Sequence, residues 1–238
     1  MRDLRLVGCR LGRRRATVTT YLEKLKLPRG RTRAERDQAV RALLNPVVRF
    51  LARARVSPND LTTAGLVGAL AVAGLVLWRH WIAAGIVFVV AIVLDSLDGA
   101  LARATGRTSR FGAFLDSTFD RLGEGLVLGA IGVTLAEDGQ RVAVGACFLA
   151  LTASFLVSYT RARAEGLGVP GTEGGLMRRP ERLVLTAMAI FLAPVGRALE
   201  VLIIILAALS LVTVGQRLWH VWRELRRPVP PEKEHPES

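Results

Sequence analysis

The length of its apolar blocks limits most strongly what this chain can fold into. Past residue 60 they run roughly 61–78, 81–103, 112–136, 142–164, 181–194 and 198–219, separated by short charged breaks. Blocks of ~20 residues cross a hydrocarbon core of ~30 Å at ~1.5 Å per residue. A soluble domain would instead spread its apolar residues at helical or strand spacing. The pattern predicts an all-α, polytopic membrane protein with six transmembrane helices.

Charge is distributed unevenly around those blocks. The chain carries a formal charge of +13. Residues 1–60 hold 16 Lys/Arg against 5 Asp/Glu, so most of the excess precedes the first block. Residues 1–36 are read as a basic arm, with the cluster Arg13-Arg14-Arg15, attracted to anionic lipid headgroups. No aromatic or motif residues accompany that charge, which argues against a nucleic-acid partner. Arginine this dense leaves no signal-peptide apolar region, so the first block is expected to serve as an uncleaved insertion signal. From Asp37 to Val56 the residues Val40, Leu43, Leu44, Val47, Val48 and Leu51 recur near helical spacing, which predicts an amphipathic interfacial helix bent near Pro46. Residues 37–222 are taken as one membrane domain and 223–238 as a polar, disordered tail. With six spans both termini share one side. Arg107, Arg110, Arg178 and Arg179 share that side too, while the segment Glu137-Asp138-Gly139-Gln140-Arg141 is net acidic. The positive-inside rule then puts the termini in the cytoplasm, at the plasma membrane. Cys9 and Cys147 are too far apart to read as a metal motif.

Four aspartates sit where a membrane helix should have none. The second block ends with Asp95 and Asp98, and the third begins with Asp116 and Asp120. One Asp at a helix centre costs ~2.5–3.5 kcal/mol on insertion scales. Spacings of three and four put each pair on one helix face. A short connection makes the two helices antiparallel neighbours, so all four carboxylates can converge. Hard oxygen donors of this kind suit Mg²⁺ or Mn²⁺. Pairing with Arg103, Arg110 and Arg121 at solvated helix ends is the plainer account, and two pairs on consecutive helices with interleaved glycines argue against it. Glu124 lies one turn beyond Asp120, on the same face. Gly99 and Gly112 remove side chains where a ligand could approach closely.

The string Asp95-x2-Asp98-Gly99-x2-Ala102-Arg103-x8-Gly112-x3-Asp116-x3-Asp120 resembles the signature of the CDP-alcohol phosphotransferase family at all eight fixed positions. The resemblance spans roughly residues 40–222. It implies that Asp95, Asp98 and Asp116 are metal ligands, and that Asp120 is both a ligand of a second metal and the general base. It implies that Pro58, Asn59, Asp60, Leu61, Gly99, Arg103 and Ser109 contact the CDP moiety of a CDP-diacylglycerol donor. The implied cofactor is two Mg²⁺ per site, with Mn²⁺ an alternative, and the implied assembly is a homodimer. In the implied reaction Asp120 takes the proton of an acceptor hydroxyl, which attacks the β-phosphorus and releases CMP.

The acceptor has to be read outside that string. Arg161, Arg182 and Arg217 fall at helix ends on the cytoplasmic side, and three guanidinium groups meeting at one point would grip a phosphate. With Ser158 they resemble the acceptor pocket of the phosphatidylinositol phosphate synthase branch, which implies inositol 1-phosphate as acceptor. Arg161 stands where that branch often has Lys, which leaves open a related acceptor or an ether-core donor. Glycerol 3-phosphate, in a phosphatidylglycerophosphate synthase, is the alternative within the class. A transporter is the alternative outside it, disfavoured because no internal repeat is visible and the Asp cluster lies near helix ends.

Overall fold

The computed structural model describes residues 45–172 and 174–226, and all regular structure among them is helical. The chain divides into two units, Met1–Arg49 and Phe50–Ser238. Of the first, residues 45–49 are described and helical. The arm expected over 1–36 lies outside the described residues, as do residues 37–44 of the expected interfacial helix and the tail beyond 226. Everything below belongs to the second unit.

After a helical segment at 50–53, six helices follow: α1 (Pro58–Leu77), α2 (Trp81–Thr105), α3 (Arg110–Glu137), α4 (Arg141–Gly166), α5 (Arg179–Leu192) and α6 (Ala198–Leu225). Local chemistry sets their ends. Pro58 opens α1, where a missing N–H costs nothing, and the Asp60 carboxylate accepts the Ser57 N–H at 3.1 Å. Gly106 closes α2 in the left-handed region at φ 66°. Ser109 caps α3, its hydroxyl accepting the Gly112 N–H at 2.9 Å. Trp219 stacks on Trp222 at 4.9 Å and Arg226 lies over the Trp222 ring at 4.7 Å. Both contacts lie at the last turns of α6, which ends at Leu225.

Four of these helices, α1, α2, α4 and α6, are long and apolar enough to cross a membrane. The first half of α3 bears Asp116, Asp120 and Arg121, and Glu124 follows at its middle. With 14 residues, α5 is only about 21 Å long. The exterior carries exposed Val67, Ile86 and Phe148, as lipid-facing helices do.

Small residues let the helices approach closely, which is how membrane helices pack without a hydrophobic driving force between them. A Cβ on Gly68 would sit 3.0 Å from the Ala91 Cβ, and one on Gly123 would sit 3.2 Å from the Ala69 Cβ. So α1 lies tight against both α2 and α3. The shared core draws on every helix, with Val72 and Val76 of α1, Phe88 of α2, Ile131 of α3, Cys147 of α4, Ile190 of α5 and Ile203 of α6. At one end of the bundle, Arg79 in the α1–α2 turn pairs with Asp138 at 2.8 Å and Glu137 at 3.3 Å, at the end of α3. The α2–α3 connection, where the aspartates lie, is at the opposite end.

Candidate active site

Contrary to the expectation of neighbouring helices, α2 and α3 pack on α1 rather than on each other, yet three of the four aspartates still come together. Carboxylate oxygens of Asp95, Asp98 and Asp116 lie within 4.8 Å of one another. Asp98 is buried, and α1 holds it: Thr62 Oγ1 donates to Asp98 Oδ2 at 2.7 Å. The other Asp98 oxygen accepts the N–H of Gly99. Three hard oxygen donors from two helices fit a divalent cation.

Asp120 adjoins that trio beside Asp95, the two carboxylates sharing one arginine. Its carboxylate pairs with Arg179 at the start of α5, whose Nη2 also donates to Asp95 Oδ2 at 2.9 Å. Arg121 reaches to 3.7 Å on the other Asp120 oxygen. One guanidinium therefore ties α2 to α3. The sequence reading treated Arg179 only as a topology determinant. Its signal was that a cation in the first turn of a helix opposes the helix dipole.

Two cavities flank the cluster. The first, of about 190 Å³, is lined by Asp98 and Asp116 together with the expected nucleotide contacts Pro58, Asn59, Gly99, Arg103 and Ser109. The structure adds Thr62, Arg107 and Thr108 to its wall. Asp60 and Leu61 do not line it: Asp60 is occupied in capping α1, and Leu61 is buried. Both glycines face crowded ground. A Cβ on Gly112 would meet Ser109 Oγ at 3.0 Å and Asn59 Oδ1 at 3.2 Å, and one on Gly99 would meet the Arg103 guanidinium at 3.3 Å. The second cavity, of about 70 Å³, has Asp95, Asp120, Glu124 and Arg179 in its wall along with the apolar Phe88, Leu128 and Leu183.

The expected phosphate ligands are placed separately. Arg182 is buried, at 3% exposure, and grips Glu124 with two contacts: Nε to Oε1 at 2.9 Å and Nη2 to Oε2 at 3.3 Å. Its Nη1 donates to the Met177 carbonyl at 3.4 Å. Ser154 on α4 donates to the same Glu124. Arg217 is buried, its Nε donating to Gly174 O at 3.1 Å and its Nη1 to Val157 O, one residue before Ser158. Arg161 is exposed and pairs with Glu165 at 2.8 Å. Ser158 is half-buried on α4.

Comparison with known proteins follows the same lines. The model of the CDP-alcohol phosphatidyltransferase family matches residues 55–215. The chain is 38% identical to an archaetidylinositol phosphate synthase of Pyrococcus horikoshii, over 78% of this chain and 94% of that one. It is 37% identical to a phosphatidylinositol phosphate synthase of Streptomyces avermitilis, over 76% of this chain and 79% of that one. Among solved structures, the phosphatidylinositol phosphate synthase of Mycobacterium tuberculosis with CDP-DAG bound matches with a TM-score of 0.70 at 33% identity, covering 78% of this chain and 98% of that one. The same enzyme in complex with manganese and citrate also matches with a TM-score of 0.70.

Proposed function

The chain belongs to the CDP-alcohol phosphatidyltransferase family, and from that premise we infer that it moves a phosphatidyl group from CDP-diacylglycerol to the hydroxyl of inositol 1-phosphate, releasing CMP. It is a membrane enzyme of phospholipid biosynthesis, dependent on a divalent metal. The observation that carries this reading is the Asp95, Asp98 and Asp116 oxygen cluster beside a cavity lined by Pro58, Asn59, Gly99, Arg103 and Ser109.

In this reading Asp95, Asp98, Asp116 and Asp120 hold two Mg²⁺. When bound, the ions offset charge developing on the phosphoryl oxygens and the departing CMP. Thr62 fixes the Asp98 carboxylate. Arg103, Asn59 and Ser109 hold the CDP moiety, and the bare backbone at Gly99 and Gly112 lets it come close. Asp120 accepts the proton of the acceptor hydroxyl. Ser158, Arg161, Arg182 and Arg217 receive the phosphate of the acceptor. Support for Arg182 and Arg217 comes from their burial on helices at the Asp-cluster end of the bundle.

All six helices span the membrane in this reading, alternating in direction, with the Asp cluster and both termini on the cytoplasmic side of the plasma membrane. The charge asymmetry between the two ends of the bundle supports that orientation. The catalytic domain is 37–222, the basic arm 1–36 binds anionic lipid, and the assembly is a homodimer, as the family resemblance implies.

The test is CMP release by the purified protein with CDP-diacylglycerol and Mg²⁺, offering inositol 1-phosphate, glycerol 3-phosphate, free inositol and serine separately. Release with inositol 1-phosphate alone is expected. Release with glycerol 3-phosphate instead would overturn the acceptor assignment, and no release with any acceptor would overturn the enzymatic reading.

A further inference from the structure

The position of Arg179 is unusual for a residue at a carboxylate cluster that takes cations. Its Nη2 donates to Asp95 at 2.9 Å and to Asp120 as well, so a single positive charge bridges α2 and α3. Asp120 is nearly enclosed, at 10% side-chain exposure, while Arg179 keeps 40% of its side chain exposed. The guanidinium is therefore reachable from solvent on one side and committed to two carboxylates on the other. Neighbouring Arg178 behaves differently, pairing with Glu181 at 2.6 Å on its own helix. The trio of Asp95, Asp98 and Asp116 is gathered without Asp120. Asp120 joins that trio at Asp95, through the arginine the two share.

We propose that Arg179 is a built-in competitor for the cation site: it occupies the oxygens of Asp95 and Asp120 when no cation is bound, and must release both before a cation can take them. This rests on the reading that the cluster holds divalent cations. Arg179 stands at the first position of α5, preceded by a loop and followed by Pro180, so its side chain can swing without unwinding a helix. An anion arriving at the mouth of the second cavity offers that guanidinium a partner in exchange for the two carboxylates. The exchange keeps the arginine paired throughout and sets Asp120 free only when an anionic acceptor is present. Water reaching the site carries no such charge and leaves Asp120 occupied, which protects the donor from hydrolysis.

The experiment is Mn²⁺ binding to the full-length protein in detergent, followed by electron paramagnetic resonance of the unbound ion. Wild type, Arg179→Gln, Arg178→Gln and Asp95→Asn are compared. Arg179→Gln is expected to bind Mn²⁺ roughly tenfold more tightly in its weaker step, the scale of losing a charge-assisted competitor. Arg178→Gln, which removes the same formal charge one residue away, is expected to match wild type. Adding Asp120→Asn to Arg179→Gln should erase the gain. Unchanged or weaker binding by Arg179→Gln overturns the proposal, as does an equal gain in Arg178→Gln. Arg179→Met, similar in length and neutral, replaces the glutamine variant should that one not fold. If wild type binds Mn²⁺ and Asp95→Asn does not, the metal reading stands whatever Arg179 does. If neither wild type nor Arg179→Gln binds Mn²⁺, both fail.

Discussion

Replacing Glu124 probes the buried polar network that anchors α5 to α3. Arg182 is 3% exposed, and Glu124 takes its Nε and Nη2 at 2.9 and 3.3 Å. Glu124→Ala leaves that guanidinium in the bundle with the Met177 carbonyl, a weak contact at 3.4 Å. Removing one partner of a buried ion pair costs about 3–5 kcal/mol, because the remaining charge has no compensation. Glu124→Gln keeps one acceptor oxygen but turns an NH₂ toward a donor, so its loss is set by one charge-assisted contact, about 1.5–3 kcal/mol. Equilibrium unfolding in mixed micelles should rank wild type above Gln and Gln above Ala. The double variant Glu124→Met with Arg182→Met should recover most of the stability, since well-packed apolar side chains replace a buried pair at little cost. It should not recover acceptor binding, and KM for inositol 1-phosphate should stay raised. An Ala variant within about 1 kcal/mol of wild type would refute the burial argument. A double variant with normal KM would refute the assignment of Arg182 to the acceptor.

Three further outcomes follow from the same geometry. Asp120→Asn should abolish CMP release while the protein still purifies as a folded membrane protein, and wild-type turnover by this variant would remove Asp120 from the role of base. Gly112→Ala puts a methyl 3.0 Å from Ser109 Oγ and 3.2 Å from Asn59 Oδ1, so KM for the CDP-lipid should rise about tenfold, a loss of ~1.4 kcal/mol, with KM for the acceptor unchanged. At the other end of the bundle, the hydrogen bond from Arg79 holds the Asp138 carboxyl below its ordinary value of 3.8. A depressed carboxylate adds stability above its unfolded pKa and loses it as pH falls through the folded one. Thermal midpoints should therefore drop slightly more between about pH 5 and about pH 2 in wild type than in Arg79→Ala, and identical profiles would show the pair contributes nothing.

The apolar blocks and their breaks were legible because hydrocarbon thickness dictates block length. The break at Arg79-His80, the break before Phe111 and the turn around Pro194 all fall where the helices end. The aspartates were legible because charge in an apolar helix demands a reason. Thr62 was not, because a threonine inside an apolar span carries no signal until the register of α1 against α2 is fixed, and that register depends on close approaches such as Gly68 to Ala91. Arg182 was legible as a conspicuous cation but not as the partner of Glu124. The pairing joins residues 58 apart in sequence, and helix periodicity says nothing at that range. Asp60 has a local role that the sequence pattern did not name. It sits in a segment that reads as a ligand-binding turn, and its carboxylate is spent on the helix start.

Charge balance connects these pieces. With Glu124 neutralised by Arg182, and Arg121 counted outside the cluster for its longer 3.7 Å contact, four aspartates face the bridging guanidinium of Arg179. Fully ionised, that leaves three formal negative charges within a small volume between two cavities, where mutual repulsion is poorly screened. One divalent cation among Asp95, Asp98 and Asp116 would leave a single negative charge, with Asp120 still held by Arg179. A second divalent cation in the presence of Arg179 would overshoot neutrality. With Arg179 drawn off to an incoming phosphate, two divalent cations balance the four carboxylates. The donor's diphosphate and the acceptor's phosphate then meet positive charge from the arginines and the cations together. On this count two divalent cations balance the four carboxylates only when Arg179 is drawn away, which is why the proposed competition would fall on the weaker of two cation-binding steps.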